Sequence, residues 1–135
     1  DLVLISMKPD YQKMLQHADA CLIIGDPALL INPDQLPYQV FDMGEQWWQL
    51  TGLPMVFAAW AGHTKLEGSL FHDSWTFGME TLDQYIGEEA AKRGIPEEMA
   101  RHSLLHHIHF EIGPEERRGL EEYLRLAATI EEIAA

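Results

Sequence analysis

The chain has 135 residues, 47% of them hydrophobic, enough for one domain with a real core and too few for two full ones. Its formal net charge of −13 repels both a phosphate backbone and an anionic bilayer, which argues against nucleic acid and membrane as partners. The single cysteine, Cys21, excludes an internal disulfide or a multi-cysteine metal site, and its place in an apolar run predicts a small buried core residue.

Asp1 opens directly onto the apolar β-formers of Leu2 to Ser6, a predicted strand with no basic or cleavable leader before it. The expectation is a soluble cytoplasmic protein with further residues ahead of Asp1, since no run approaches the roughly 20 apolar residues of a membrane span. Pro9-Asp10 marks a break and a helix N-cap. Tyr11, Met14, Leu15 and Ala18 follow at i, i+3, i+4 and i+7, one face of a helix of about two turns. Cys21 to Ile24 is a second predicted strand. Strand, helix and strand in so short a span, both strands apolar throughout, read as a βαβ unit with parallel strands covered on both faces. Tyr38 to Phe41 is a third candidate strand, ending at Asp42.

The stretch "DMGEQWWQLTGLP" reads as a helix with both ends signed. Asp42 is the N-cap, Glu45 its capping-box partner, Gly52 the C-terminal stop, and Pro54 lies just beyond. Met55 to Ala61 is a fourth strand, apolar enough to be central. Gly62 to Ser69 is a predicted loop. Leu70 to about Arg93 has near-helical spacing, with Gly78 and Gly87 arguing against one continuous rod. Pro96 sits at the first turn of a helix ending near His107, "HIHFEI" is ambiguous, and Pro114 opens a last helix. There Leu120, Tyr123, Leu124, Ala127 and Ile130 form an apolar stripe, with Glu115, Glu116, Glu121 and Glu122 on the other side.

Three places carry candidate chemistry. In open α/β sheets, ligands bind beyond the carboxyl ends of parallel strands, and Ile24-Gly25-Asp26-Pro27 is such an end. Gly25 permits positive φ or close backbone approach, and Pro27 at the first helical position leaves Asp26 either as a simple N-cap or as a residue facing a ligand. The turn Gly52-Leu53-Pro54 has a local explanation as helix stop and strand entry, yet it rims the same cleft if its strand neighbours Cys21 to Ile24. His102 and His106 have the i, i+4 spacing of a metal chelate. No acidic third ligand accompanies them, and imidazoles near a helix end also suit its dipole, so no metal is expected. Trp47, Trp48 and the methionines read as packing.

"ADACLIIGDPAL", "FDMGEQWWQLTGLPMVFAAWA" and "EERRGLEEYLRLA" together resemble the chorismate dehydratase family of the futalosine route to menaquinone. The likeness covers essentially the whole chain but only about the second half of the family's length. It implies an α/β, type II periplasmic-binding-protein-like two-lobed fold, with residues 1–54 as part of the second lobe and residues 55–135 returning to complete the first. It also implies a lyase that dehydrates chorismate to 3-[(1-carboxyvinyl)oxy]benzoate without metal or organic cofactor. Gly25, Asp26, Gly52, Leu53 and Pro54 would be the substrate-binding parts of this half. The family's Asn and Ser most tied to the chemistry have no counterpart here, so no catalytic residue is assigned, and the 135-residue chain alone is expected to be inactive. The expected partner is the small-molecule substrate, and a half-protein that assembles with a second copy or a complementary N-terminal segment is a third reading. The sister dihydroxynaphthoate synthase carries a His-Glu pair where this chain has Gly25-Asp26, which favours the dehydratase. A non-catalytic solute-binding protein of the same fold is the alternative from another class.

Overall fold

Side-chain caps start two of the α-helices among the described residues. In the computed structural model, which describes residues 3–64 and 67–130, Asp10 Oδ1 accepts from Lys13 N at 3.2 Å and starts α1, Tyr11–Met14. This helix is a single turn rather than the two expected. Asp42 Oδ1 accepts from Glu45 N at 2.8 Å and starts α3, Met43–Thr51. The reciprocal half of the predicted capping box is not made, because Glu45 Oε1 instead accepts from Gln49 Nε2 at 3.1 Å. Gly52 ends α3 as predicted, with φ 67° in the left-handed region and its N–H donating to Trp48 O at 2.7 Å. Between α1 and α3 lie the short α2, Asp26–Leu29, and a 3-10 turn at Pro33–Gln35.

The second half is a series of helices: α4, Gly68–Glu80; α5, Leu82–Arg93; α6, Glu97–His102, continued by a π-helical turn over Ser103–His107; and α7, Pro114–Ala127. The break between α4 and α5 falls at Thr81, whose hydroxyl donates to Phe77 O at 2.7 Å, and at neither glycine. A Cβ at Gly87 would lie 2.8 Å from Glu97 Oε2 on α6, the movable end of a long side chain. Leu82, Ile86 and Ala90 form one buried stripe of α5, and α5 packs against α4 and α6. Gly94, at φ 68°, closes α5 in a Schellman arrangement, with Gly94 N donating to Ala91 O and Ile95 N to Ala90 O. Ala90 and Ile95, which that motif brings together, are both buried. Pro114 opens α7 as predicted, and Glu116 Oε2 accepts from the Gly113 N–H at 3.0 Å.

The four predicted strands are the main departure. Among the described residues there is no β-ladder, and residues 18–24, 37–41 and 54–64 make no backbone–backbone hydrogen bond with one another or with any other described residue. The first predicted strand begins at Leu2, which with Asp1 lies outside the described residues, as do Lys65 and Leu66 of the predicted loop. A β-strand is stabilised only by a neighbouring strand, and apolar runs suited to burial on both faces stay open without one. Ile24, Phe57 and Trp60 are 73%, 73% and 80% exposed. Cys21 is half-buried rather than buried, because its segment has no layer over it. The accessible surface, 11478 Å², compares with about 7,200 Å² for a compact monomer of this mass. The helices therefore share a small core, while the apolar segments predicted as strands have no strand partner among the described residues.

Candidate functional site

Gly25 is the N-cap of α2, at φ 69° and ψ −151°, and Asp26 is the first residue inside the helix. This corrects the reading of Asp26 as the N-cap. A Cβ on Gly25 would meet nothing within 4 Å, so the glycine is needed for its dihedral angle and not for space. The Asp26 carboxylate accepts from no backbone N–H of its own turn. Its Oδ2 lies 3.4 Å from Arg93 Nη1, at the last residue of α5 and 67 positions along the chain. Both side chains are about half exposed.

The Gly52-Leu53-Pro54 turn is held by three contacts. Thr51 Oγ1 donates to Trp47 O at 2.8 Å and accepts from Leu53 N at 3.2 Å. The Trp47 indole, the one buried side chain of α3, donates from Nε1 to Pro54 O at 3.2 Å. Tyr123 of α7 meets the same indole edge to face, with ring centroids 5.8 Å apart. Gly119, the buried residue of α7, lies directly on the turn, since a Cβ there would fall 2.1 Å from Pro54 O and 3.7 Å from Leu53 Cβ. Part of the apolar stripe predicted for the last helix is exposed: Tyr123 and Leu124 face solvent in part, as does Ile130, which lies beyond the end of α7. Trp48, expected to pack, is exposed too.

Leu53 also borders an open hollow of about 370 Å³ with Arg118, Glu121, Glu122 and Arg125 of α7. Both arginines are already paired within the helix, Arg118 to Glu115 at 2.8 Å and Arg125 to Glu122 at 2.6 Å. The hydrogen bond from Arg125 holds the Glu122 carboxyl below the usual carboxylate range. Arg125 is held through Nε and Nη2 and Arg118 through Nη1 alone, each by a carboxylate of its own helix.

Among the described residues, no hydrogen bond or ion pair joins the Gly25-Asp26 turn to the Gly52-Leu53-Pro54 turn. Asp26 is tied to α5 and Pro54 to α3 and α7. Arg93 and Gly119 are the two residues at these turns that sequence reading missed. A glycine inside the amphipathic pattern "RRGLEEYL" was a signal of close backbone approach, whereas nothing local marked Arg93.

In the histidine cluster, the π-helical turn adds one residue to the helical repeat. His102 consequently meets both His106, at a tilt of 45°, and His107, edge to face, at 4.7 Å between ring centroids in each case. Among the described residues, no three His, Cys, Asp or Glu side chains are grouped to hold a metal ion, and no helix is long and apolar enough to cross a membrane.

A protein-family model described as "Menaquinone biosynthesis" matches residues 2–129. No solved structure matches the chain.

Proposed function

Because the chain belongs to the menaquinone-biosynthesis family, as its likeness to chorismate dehydratases leads one to expect, we propose that it supplies the C-terminal half of a cytoplasmic chorismate dehydratase. The family match across nearly the whole chain carries this reading. The turn sequence Gly25-Asp26, in place of the His-Glu of the sister synthase, favours the dehydratase within it. In this proposal the two-lobed α/β fold is completed by an N-terminal half, whose strands pair with the apolar segments at 21–24 and 54–61. Residues 1–54 then contribute to one lobe and 55–135 to the other. Unpaired apolar runs with an accessible surface well above that of a compact monomer support this arrangement.

The reaction asks little of the protein beyond orientation. A ring C–O bond and an adjacent ring C–H bond break, the hydroxyl departs with that proton as water, and the ring becomes aromatic, which supplies much of the driving force. Holding the substrate rigidly and assisting the proton transfer are the enzyme's contributions. Asp26, half-exposed at the end of its apolar segment, accepts a hydrogen bond from the substrate hydroxyl and fixes its direction. Gly25 lets the backbone turn there, and Gly52-Leu53-Pro54 forms the opposite rim.

In the full-length protein, Asp26→Ala and Asp26→Asn are expected to lower chorismate turnover about 100-fold. Stability should change by no more than about 0.5 kcal/mol, as for a part-exposed surface position. Steady-state kinetics and urea denaturation on the same preparations check both. Full turnover in both variants would remove Asp26 from the site, and binding of chorismate without conversion by the unaltered protein would identify a solute-binding protein.

A further inference from the structure

We infer that Arg93 is a substrate-binding residue that takes one carboxylate of the substrate at the Gly25-Asp26 turn, an inference that rests on the chorismate reading. A dianion approaching a chain of net charge −13 needs a local cation, and the structure narrows the choice. Lys13 pairs with Asp10, Lys92 with Glu88 and Glu89, Arg118 with Glu115 and Arg125 with Glu122, all within three or four residues and on their own helical segments. Among the described residues, neither Lys8 nor Arg117 makes a hydrogen bond or ion pair with the Gly25-Asp26 turn, which only Arg93 reaches. Arg101 is shared between Asp83 and Glu97, between α5 and α6. Arg93 differs, because its ionic partner Asp26 is a candidate site residue brought to it by the tertiary fold.

The geometry leaves Arg93 with donors to spare. Only Nη1 approaches Asp26, at 3.4 Å and to a single oxygen, and Nη2 stands 3.9 Å from Glu89 Oε2. A guanidinium has five N–H donors in a planar fork, and its strongest mode is two parallel bonds to one carboxylate. The side chain is 57% exposed, so a solute reaches it. Its backbone is nonetheless fixed: the Schellman closure at Gly94 and the buried Ala90 and Ile95 anchor the end of α5 on both sides of Arg93. Set between Asp26 and an incoming carboxylate, the guanidinium cancels the repulsion between the two anions. The substrate hydroxyl then comes within reach of Asp26.

The test uses the full-length protein with chorismate and its two monomethyl esters, comparing wild type with Arg93→Ala and Arg93→Lys. The alanine variant is expected to raise KM for chorismate about 10- to 100-fold, the range for losing a charge-assisted hydrogen bond, with a smaller change in kcat and an unchanged Tm. Lysine restores part of the affinity, since it keeps the charge and loses the fork. For one of the two monoesters, wild type and Arg93→Ala should have the same KM, because the carboxylate that Arg93 holds is already neutral. Turnover by wild type with an unchanged KM in Arg93→Ala, or an equal loss with chorismate and both esters, overturns the role of Arg93 alone. No turnover and no binding of chorismate by wild type overturns the chorismate reading and this inference with it.

Discussion

Replacing Trp47 by alanine is expected to cost about 3–5 kcal/mol of stability, the range for deleting a buried aromatic side chain. Trp47 is 8% exposed and is the only buried side chain of α3. Its ring face and its N–H do separate jobs. The ring packs against Tyr123 at 5.8 Å, and the N–H satisfies Pro54 O at 3.2 Å. Truncation therefore opens a cavity between α3 and α7 and also leaves a carbonyl without its donor. Trp47→Phe keeps most of the ring volume and should recover more than half of the loss. Urea denaturation of the full-length protein reads both variants as a lowered midpoint at an unchanged slope. A cost below about 1 kcal/mol for the alanine variant would mean that this contact does not tie α3 to α7.

Gly119→Ala is the second large effect, and its sign is informative. In the interior of an exposed helix this change stabilises by about 1 kcal/mol through helix propensity. Here the added methyl would lie 2.1 Å from Pro54 O, a backbone atom that cannot swing away as a long side chain would. α7 must then lift off the turn, loosening the Tyr123 contact and the hollow beside Leu53. Overpacking of this kind costs about 1–3 kcal/mol, and a contact so far inside van der Waals distance belongs at the upper end, so a net loss of about 2 kcal/mol is expected. Thermal and urea unfolding of the variant measure it. An increase in stability would place Gly119 on a free helix face.

The helices were legible because their determinants are local. Asp10, Asp42, Gly52, Gly94 and Pro114 each act within a few residues, so cap and stop chemistry could be read directly. Gly94 was nonetheless passed over in the sequence, although it sits at the end of a helix that was predicted to stop near Arg93. The four predicted strands, by contrast, did not form among the described residues. The sequence marked Cys21 to Ile24 and Met55 to Ala61 as wanting burial, but strand pairing is a property of the partner as much as of the segment. The fate of the candidate site divides along the same line. Positive φ at Gly25 and Gly52 follows from the turn sequences themselves. The Asp26 to Arg93 contact spans 67 residues and no local pattern encodes it, whereas the glycine at 119 is a local sign of close approach whose partner, Pro54, lies far off in the sequence.

The most direct test of the account is to incubate chorismate with the full-length protein and, in parallel, with this 135-residue chain, following the ultraviolet absorbance of an aromatic product. Conversion by the full-length protein alone, giving 3-[(1-carboxyvinyl)oxy]benzoate, is the predicted result. Absence of any aromatic product from the full-length protein would contradict it.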